Sequence, residues 1–194
     1  MRDIDLFQAA LGLADPWFVD ACRFDAKAKR LDLDIDFKRG ARFACPDCKS
    51  ANCPTHDTTR KQWRHLDFFQ HEAYINARVP RVNCVNCGIR LVHVPWARPG
   101  SGFTMLFEAL AMTLICAMPV REAGEIVGEH DTRLWRIVHH HVDEARARAD
   151  FSSIERVAID ETAARRGHDY VTLFVDIDER RVLFVTEGKD ASTV

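Results

Sequence analysis

Two Cys-x2-Cys pairs restrict the folds open to this chain more than any other feature: Cys45-Pro46-Asp47-Cys48 and Cys84-Val85-Asn86-Cys87. A turn of this spacing lets two sulfurs chelate one ion. Two such turns supply the four thiolates of a closed, tetrahedral, structural zinc site. The 35 residues between Cys48 and Cys84 leave room for two strands, the layout of a zinc ribbon. The chain has seven cysteines, an odd number, and Met1-Arg2-Asp3-Ile4-Asp5 has no cationic head followed by an apolar stretch. Metal ligation is therefore expected over disulfides. One alternative stays open. Cys53 and His56 follow the first pair, so Cys45, Cys48, Cys53 and His56 make a second donor set, which leaves Cys84 and Cys87 unexplained. Cys22 and Cys116 sit among apolar neighbours and read as small core residues.

Charge is spread unevenly along a chain whose net charge is only −2. Residues 1–37 carry eight Asp against five Lys/Arg, and residues 38–100 carry eleven Lys/Arg against four acids. A local basic surface of this kind suits phosphates, and it equally suits an ordinary solvated face. A short helix is expected over 4–13. The strict alternation from Leu31 to Phe37 predicts a strand with apolar side chains on one face and Asp on the other. It pairs with a strand over 17–24 across a polar hairpin loop. Further strands are expected over 63–69, 73–82 and 89–94, with a turn-rich stretch over 49–59. The loop 95–102, with two Pro and two Gly, marks a boundary.

Beyond that loop the period becomes helical. Residues 103–118 form a helix stopped by Pro119, and a short helix follows over 120–127. A turn at Gly128-Glu129-His130 leads to a longer helix from Asp131, its N-cap, to about 149. Leu134, Val138, Val142 and Ala145 form its apolar face. Residues 120–140 thus have helix-turn-helix dimensions, a pattern that any helical hairpin shares. Ala123 is the small residue expected at the helix crossing, and Thr132, Arg133, Arg136, His139 and His140 would face a duplex. The longest apolar run, Ala109 to Met118, is too short to cross a bilayer, so a cytoplasmic chain without a membrane partner is expected. After residue 150 the pattern is strand again. Val157-Ala158-Ile159 ends at Asp160, and 170–177 and 181–186 form a hairpin around Asp178-Glu179-Arg180. A carboxylate at a strand end can hold a catalytic metal, and more commonly caps a loop.

The order of these stretches resembles one family. Trp63-Arg64-His65-Leu66-Asp67 follows the first cysteine pair, and Val79-Pro80-Arg81-Val82 leads into the second. Val94-Pro95-Trp96-Ala97-Arg98 precedes Phe103-Thr104, and Ile159-Asp160-Glu161 precedes Gly167-His168-Asp169-Tyr170. Over residues 6–194 this resembles the ISL-three family of bacterial insertion-sequence transposases. The resemblance implies an α+β multidomain chain. An N-terminal helix and β-hairpin over 1–40 would lead into a β-rich zinc ribbon over 41–100. A helix-turn-helix DNA-binding domain over 101–150 and the first three strands of a ribonuclease-H-like DDE domain over 151–194 would follow. It implies structural zinc on Cys45, Cys48, Cys84 and Cys87. It implies double-stranded DNA, the terminal inverted repeats of the element, as the partner of residues 120–140. It also implies self-association of the full-length protein, and Asp160 as the first carboxylate of a triad that holds catalytic Mg²⁺.

This chain departs from the family pattern in two places. The second Asp and the Glu of the triad belong on later elements than it reaches, so it reads as a portion that binds DNA without moving it. Asp176 and Asp178 lie at a hairpin where the family carries acids without catalytic duty. His130 stands where the family has an apolar residue. Two rival readings remain. A zinc-ribbon helix-turn-helix transcriptional regulator would not account for residues 157–187, and a zinc-stabilised interaction module would never touch DNA.

Overall fold

The computed structural model of the protein describes residues 3–164 and 169–188, so Gly167 and His168 of the stretch named above lie outside the described residues. The chain forms two compact units, residues 1–140 and 141–194.

In the first unit, α1 (Asp3–Ala10) precedes the expected hairpin of β1 (Trp17–Asp25) and β2 (Arg30–Phe37). The alternation in β2 buries Leu31, Leu33 and Ile35. It turns Asp32, Asp34 and Asp36 to the other face, where Arg30, Arg23 and Arg78 pair with them. Four strands follow: β3 (Arg42–Phe43), β4 (Cys53–Phe68), β5 (His71–Cys84) and β6 (Gly88–Leu91). Sheet order is β1-β2-β5-β4-β3, with β6 also on β5. Residues 30–35 of β2 run parallel to 72–77 of β5, and the other pairings are antiparallel. The start of β4 departs from the turn-rich expectation for 49–59. Thr55, Thr58 and Thr59 pair with Val82, Pro80 and Val79 of β5, and this long partner holds β-branched residues extended where local turn signals compete.

Trp96 meets Trp17 and Trp63 edge to face, with ring centroids 5.1 and 5.5 Å apart. Phe43, Ile75, Val79, Val82, Cys45, Cys53 and Cys84 close this core around them. The hairpin 17–37 and the cysteine-bearing strands therefore share one interior.

Three helices complete the first unit's fold: α2 (Met105–Ile115), α3 (Val120–Val127) and α4 (Asp131–Ala147), whose last turns run into the second unit. Their shared core is Phe103, Phe107, Ala111, Val120, Ala123, Val127, Leu134 and Ile137. Thr104 caps α2, its hydroxyl accepting the Phe107 N–H at 3.3 Å. Gly128 ends α3 at φ +69°, the left-handed conformation that a residue with Cβ adopts only at a cost. The stretch Trp63 to Asp67 turns out to be a seam between sheet and helices. The Arg64 N–H donates to the Gly102 carbonyl at 2.9 Å, and the Thr104 N–H donates to the Arg64 carbonyl at 3.0 Å. His65 Nδ1 lies 2.9 Å from the Thr104 hydroxyl, and Leu66 packs on the helical core.

Three details differ from expectation. On α4 the buried residues are Leu134 and Ile137, while Val142 and Ala145 are exposed, because only the first turns of α4 contribute to the helical core. Cys116 is exposed at the C-terminal cap of α2, while its neighbours Leu114, Ile115 and Met118 are the residues that pack on the helical core. The cap of α4 is shared: the His130 carbonyl accepts the Arg133 N–H at 2.9 Å, and the Thr132 N–H donates to Asp131 Oδ1 at 2.6 Å, with His130 Nδ1 at 3.3 Å.

The second unit holds an antiparallel sheet of β7 (Val157–Ala163), β8 (Tyr170–Asp176) and β9 (Arg181–Glu187), in that order. Thr172 and Asp176 are its buried residues among those described, while Val157, Ile159, Val182, Phe184 and Val185 are exposed. Three strands alone cover little apolar surface. Among the described residues, no helix is long and apolar enough to cross a membrane.

Candidate metal centre and nucleic-acid interface

Cys45 and Cys48 lie in the connection between β3 and β4, and Cys84 and Cys87 bracket the turn between β5 and β6. The β4–β5 hairpin brings the two turns together. The four sulfurs all lie within 4.8 Å of one another, with Cys48 Sγ 3.5 Å from Cys84 Sγ. Four sulfurs at the zinc–thiolate distance form a tetrahedron with edges of about 3.8 Å, so this donor set fits one zinc ion. The local electrostatics favour thiolates at two positions. The Ser50 hydroxyl and backbone amide hold the Cys48 thiol down at about 6, and the Cys87 and Asn86 amides lower that of Cys84. A hydrogen bond with Cys48, then burial, pushes Cys87 up to about 12, and four thiols this close ionise together only around a cation. Arg90 Nε, beside the second turn, pairs at 2.5 Å with Asp47 in the first. Cys53 borders Cys45 and Cys84 but is not one of the four mutually close sulfurs, and neither is His56 a member of the group. Cys53 Sγ donates to the Ser50 carbonyl at 3.4 Å and its thiol is raised by burial, while His56 pairs with Asp57 at 3.3 Å.

The helix pair α3–α4 is tightly closed. Ala123 is fully buried at the crossing, as its size suggests. Gly124, which sequence reasoning passed over, is the tighter position. A Cβ there would stand 2.6 Å from the Glu129 carbonyl oxygen, and the Glu129 N–H donates to the Gly124 carbonyl at 2.9 Å. A glycine inside a helix costs about 1 kcal/mol against alanine, and that was the available signal that packing demands it.

Thr132, Arg136 and His139 are exposed at i, i+4 and i+7 on one face of α4, and His140 is half-buried. Trp135 joins this group without having been expected. It is 45% exposed, with its ring 5.8 Å from that of His139. The signal for it was an aromatic residue outside the apolar stripe. Arg133 is exposed by area, yet its guanidinium is engaged. It pairs with Glu129 and lies 4.4 Å over the Phe103 ring.

Asp160 sits in the middle of β7 rather than at its end, because residues 160–163 continue to pair with β8. It is exposed opposite Leu173, and its Oδ1 accepts the Glu161 N–H at 2.9 Å. Among the described residues, no cluster of three metal-ligating side chains includes it. Asp176 closes the β8–β9 turn. It accepts the N–H groups of Glu179 and Asp178 at 3.2 and 3.1 Å and pairs with Arg181, and these partners hold its carboxyl below the usual range.

Comparison with known proteins supplies the family. Residues 41–87 match the zinc finger of transposases IS204/IS1001/IS1096/IS1165. Residues 92–142 match the helix-turn-helix domain of transposase family ISL3, and residues 157–194 match that family's DDE transposase domain. The transposase for insertion sequence element IS1557 of Mycobacterium tuberculosis is 29% identical over the whole of this chain and 45% of its own length. The transposase for insertion sequence element IS1001 of Bordetella parapertussis is 29% identical over 83% of this chain and 40% of its own. The chain thus spans less than half the length of these relatives. No solved structure matches it. With zinc-finger, helix-turn-helix and DDE stretches matched in consecutive order, the chain belongs to the ISL3 family of transposases.

Proposed function

We propose that this chain is the DNA-recognition portion of an insertion-sequence transposase. The closed α3–α4 pair carries the proposal: Ala123 and Gly124 lock the turn onto α3, and α4 presents Thr132, Arg136 and His139 from one face. In this reading α4 enters the major groove of the element's terminal inverted repeats, with Arg136 and His139 at phosphates or base edges. Cys45, Cys48, Cys84 and Cys87 hold one structural zinc that fastens the two turns at the end of the β4–β5 hairpin. Domain limits near residues 40, 100 and 150 belong to the same reading, as do self-association and a cytoplasmic site of action.

Residues 157–187 are read as the opening strands of a ribonuclease-H-like DDE domain, with Asp160 its first triad carboxylate. The acids present here do not by themselves make a Mg²⁺ site, so no chemical step is assigned to them. The transcriptional-regulator reading has no support from the match over 157–194.

The test is fluorescence anisotropy of the zinc-loaded chain on duplexes carrying the ends of its element and on scrambled duplexes. Binding is expected to be at least about 10³-fold tighter to the ends, with log affinity falling linearly in log salt. Equal affinity for both duplexes refutes the proposal.

A further inference from the structure

One cluster in the helical core has no place in a simple picture of DNA contact. Phe103 and Phe107 stack, with ring centroids 4.7 Å and planes 10° apart. Each ring is met by a guanidinium: Arg64 lies 5.4 Å from the Phe107 centroid, and Arg133 lies 4.4 Å from that of Phe103. Glu129, whose side chain is 6% exposed, serves both cations. Its Oε2 pairs with Arg133, and its Oε1 is 3.8 Å from Arg64 Nε. Arg64 is itself only 2% exposed, and is held further by Asp67 and by the carbonyls of His65 and Ala73. Four segments meet here: β4, the entry to α2, the turn, and the first turn of α4.

A surface ion pair contributes little, but a buried arginine cannot lose its partner cheaply. Planar guanidinium groups on aromatic faces also fix orientation as well as distance, which an ammonium does not reproduce. We propose that this cluster is a joint that locks α4 to the sheet. Arg133 and Arg64 are then positioning residues for DNA recognition, with the charge of Arg133 committed to Glu129 rather than to a phosphate. The cysteine-bearing sheet and α4 thereby meet the duplex as one body. The proposal rests on α4 being the DNA-reading helix.

The experiment uses the zinc-loaded full chain and a duplex that it selects from a random-sequence library, with affinity followed against KCl concentration. Arg136→Ala should flatten the slope of log affinity against log salt by about one, as a lost phosphate contact does. Arg133→Ala should weaken binding about tenfold with the slope unchanged. Arg133→Lys should bind as weakly as Arg133→Ala, because it keeps the charge and loses the stacking plane. Glu129→Gln should also weaken binding. A slope change in Arg133→Ala equal to that of Arg136→Ala overturns the proposal. So does wild-type affinity in Arg133→Lys, or tighter binding by Glu129→Gln. If the library yields no selected duplex, the DNA-binding reading itself fails. If selection succeeds and only the Arg133 series deviates, the joint alone is refuted.

Discussion

Gly124→Ala should destabilise the helix pair, although alanine is the better helix former. The helix interior by itself favours alanine by about 1 kcal/mol. The structure opposes this more strongly. The new methyl carbon would lie 2.6 Å from the Glu129 carbonyl oxygen, where ordinary contact begins near 3.4 Å, so the turn must retreat by most of an ångström. The atom in the way is backbone, which cannot swing aside as a side chain can. Overpacking of this kind costs about 1–3 kcal/mol, and displacing the turn strains the Glu129-to-Gly124 hydrogen bond, which contributes about another 1 kcal/mol. The net loss is about 1–3 kcal/mol, or a fall in Tm of roughly 2–12 °C for a chain of this size. Thermal unfolding followed by circular dichroism reads the global effect, and hydrogen exchange at Leu134 and Ile137 places it in the helix pair. Gly102→Ala is the control, since its nearest neighbour would be the flexible end of Arg133 at 3.7 Å. If Gly124→Ala proves as stable as the parent or more so, the turn does not bear on α3 and the α3–α4 pair is not closed at Gly124.

Mass spectrometry under native conditions should find one zinc per chain, and Cys84→Ser should abolish it while Cys53→Ser retains it. Stability should depend on pH through His65. Burial, then the neighbouring Arg64, lowers its pKa, so the unfolded chain takes up a proton that the folded one refuses. The stabilisation is present above the unfolded value of about 6.5 and is lost as pH falls below it towards the lower folded value. His65→Gln should remove that component of the pH profile in urea titrations. Trp135→Ala should lower DNA affinity by about 1–2 kcal/mol without moving Tm, measured by anisotropy beside a melting curve. Unchanged affinity would place the exposed indole outside the duplex contact.

The sequence by itself determined the parts governed by local periodicity and short spacing. The alternation of Leu31, Leu33 and Ile35 defined one strand and its buried face, and the Cys-x2-Cys spacing marked two metal-binding turns. The helix lengths and Gly128 marked the helix pair, because capping and helical period are written within a few residues. Tertiary structure decided what depends on partners distant in the chain. Residues 53–59 carry turn-type signals and are strand because β5 pairs with them. Cys45 with Cys84, rather than with His56, follows from the hairpin that closes a 35-residue gap. Whether an exposed arginine faces solvent or a ring is invisible to periodicity, since Arg133 and Arg136 both lie on the polar side of α4 and only Arg133 lies over Phe103. Gly124 was legible as a glycine but not as a contact, because the carbonyl that forbids a methyl group comes from a turn whose path only the packed helices define.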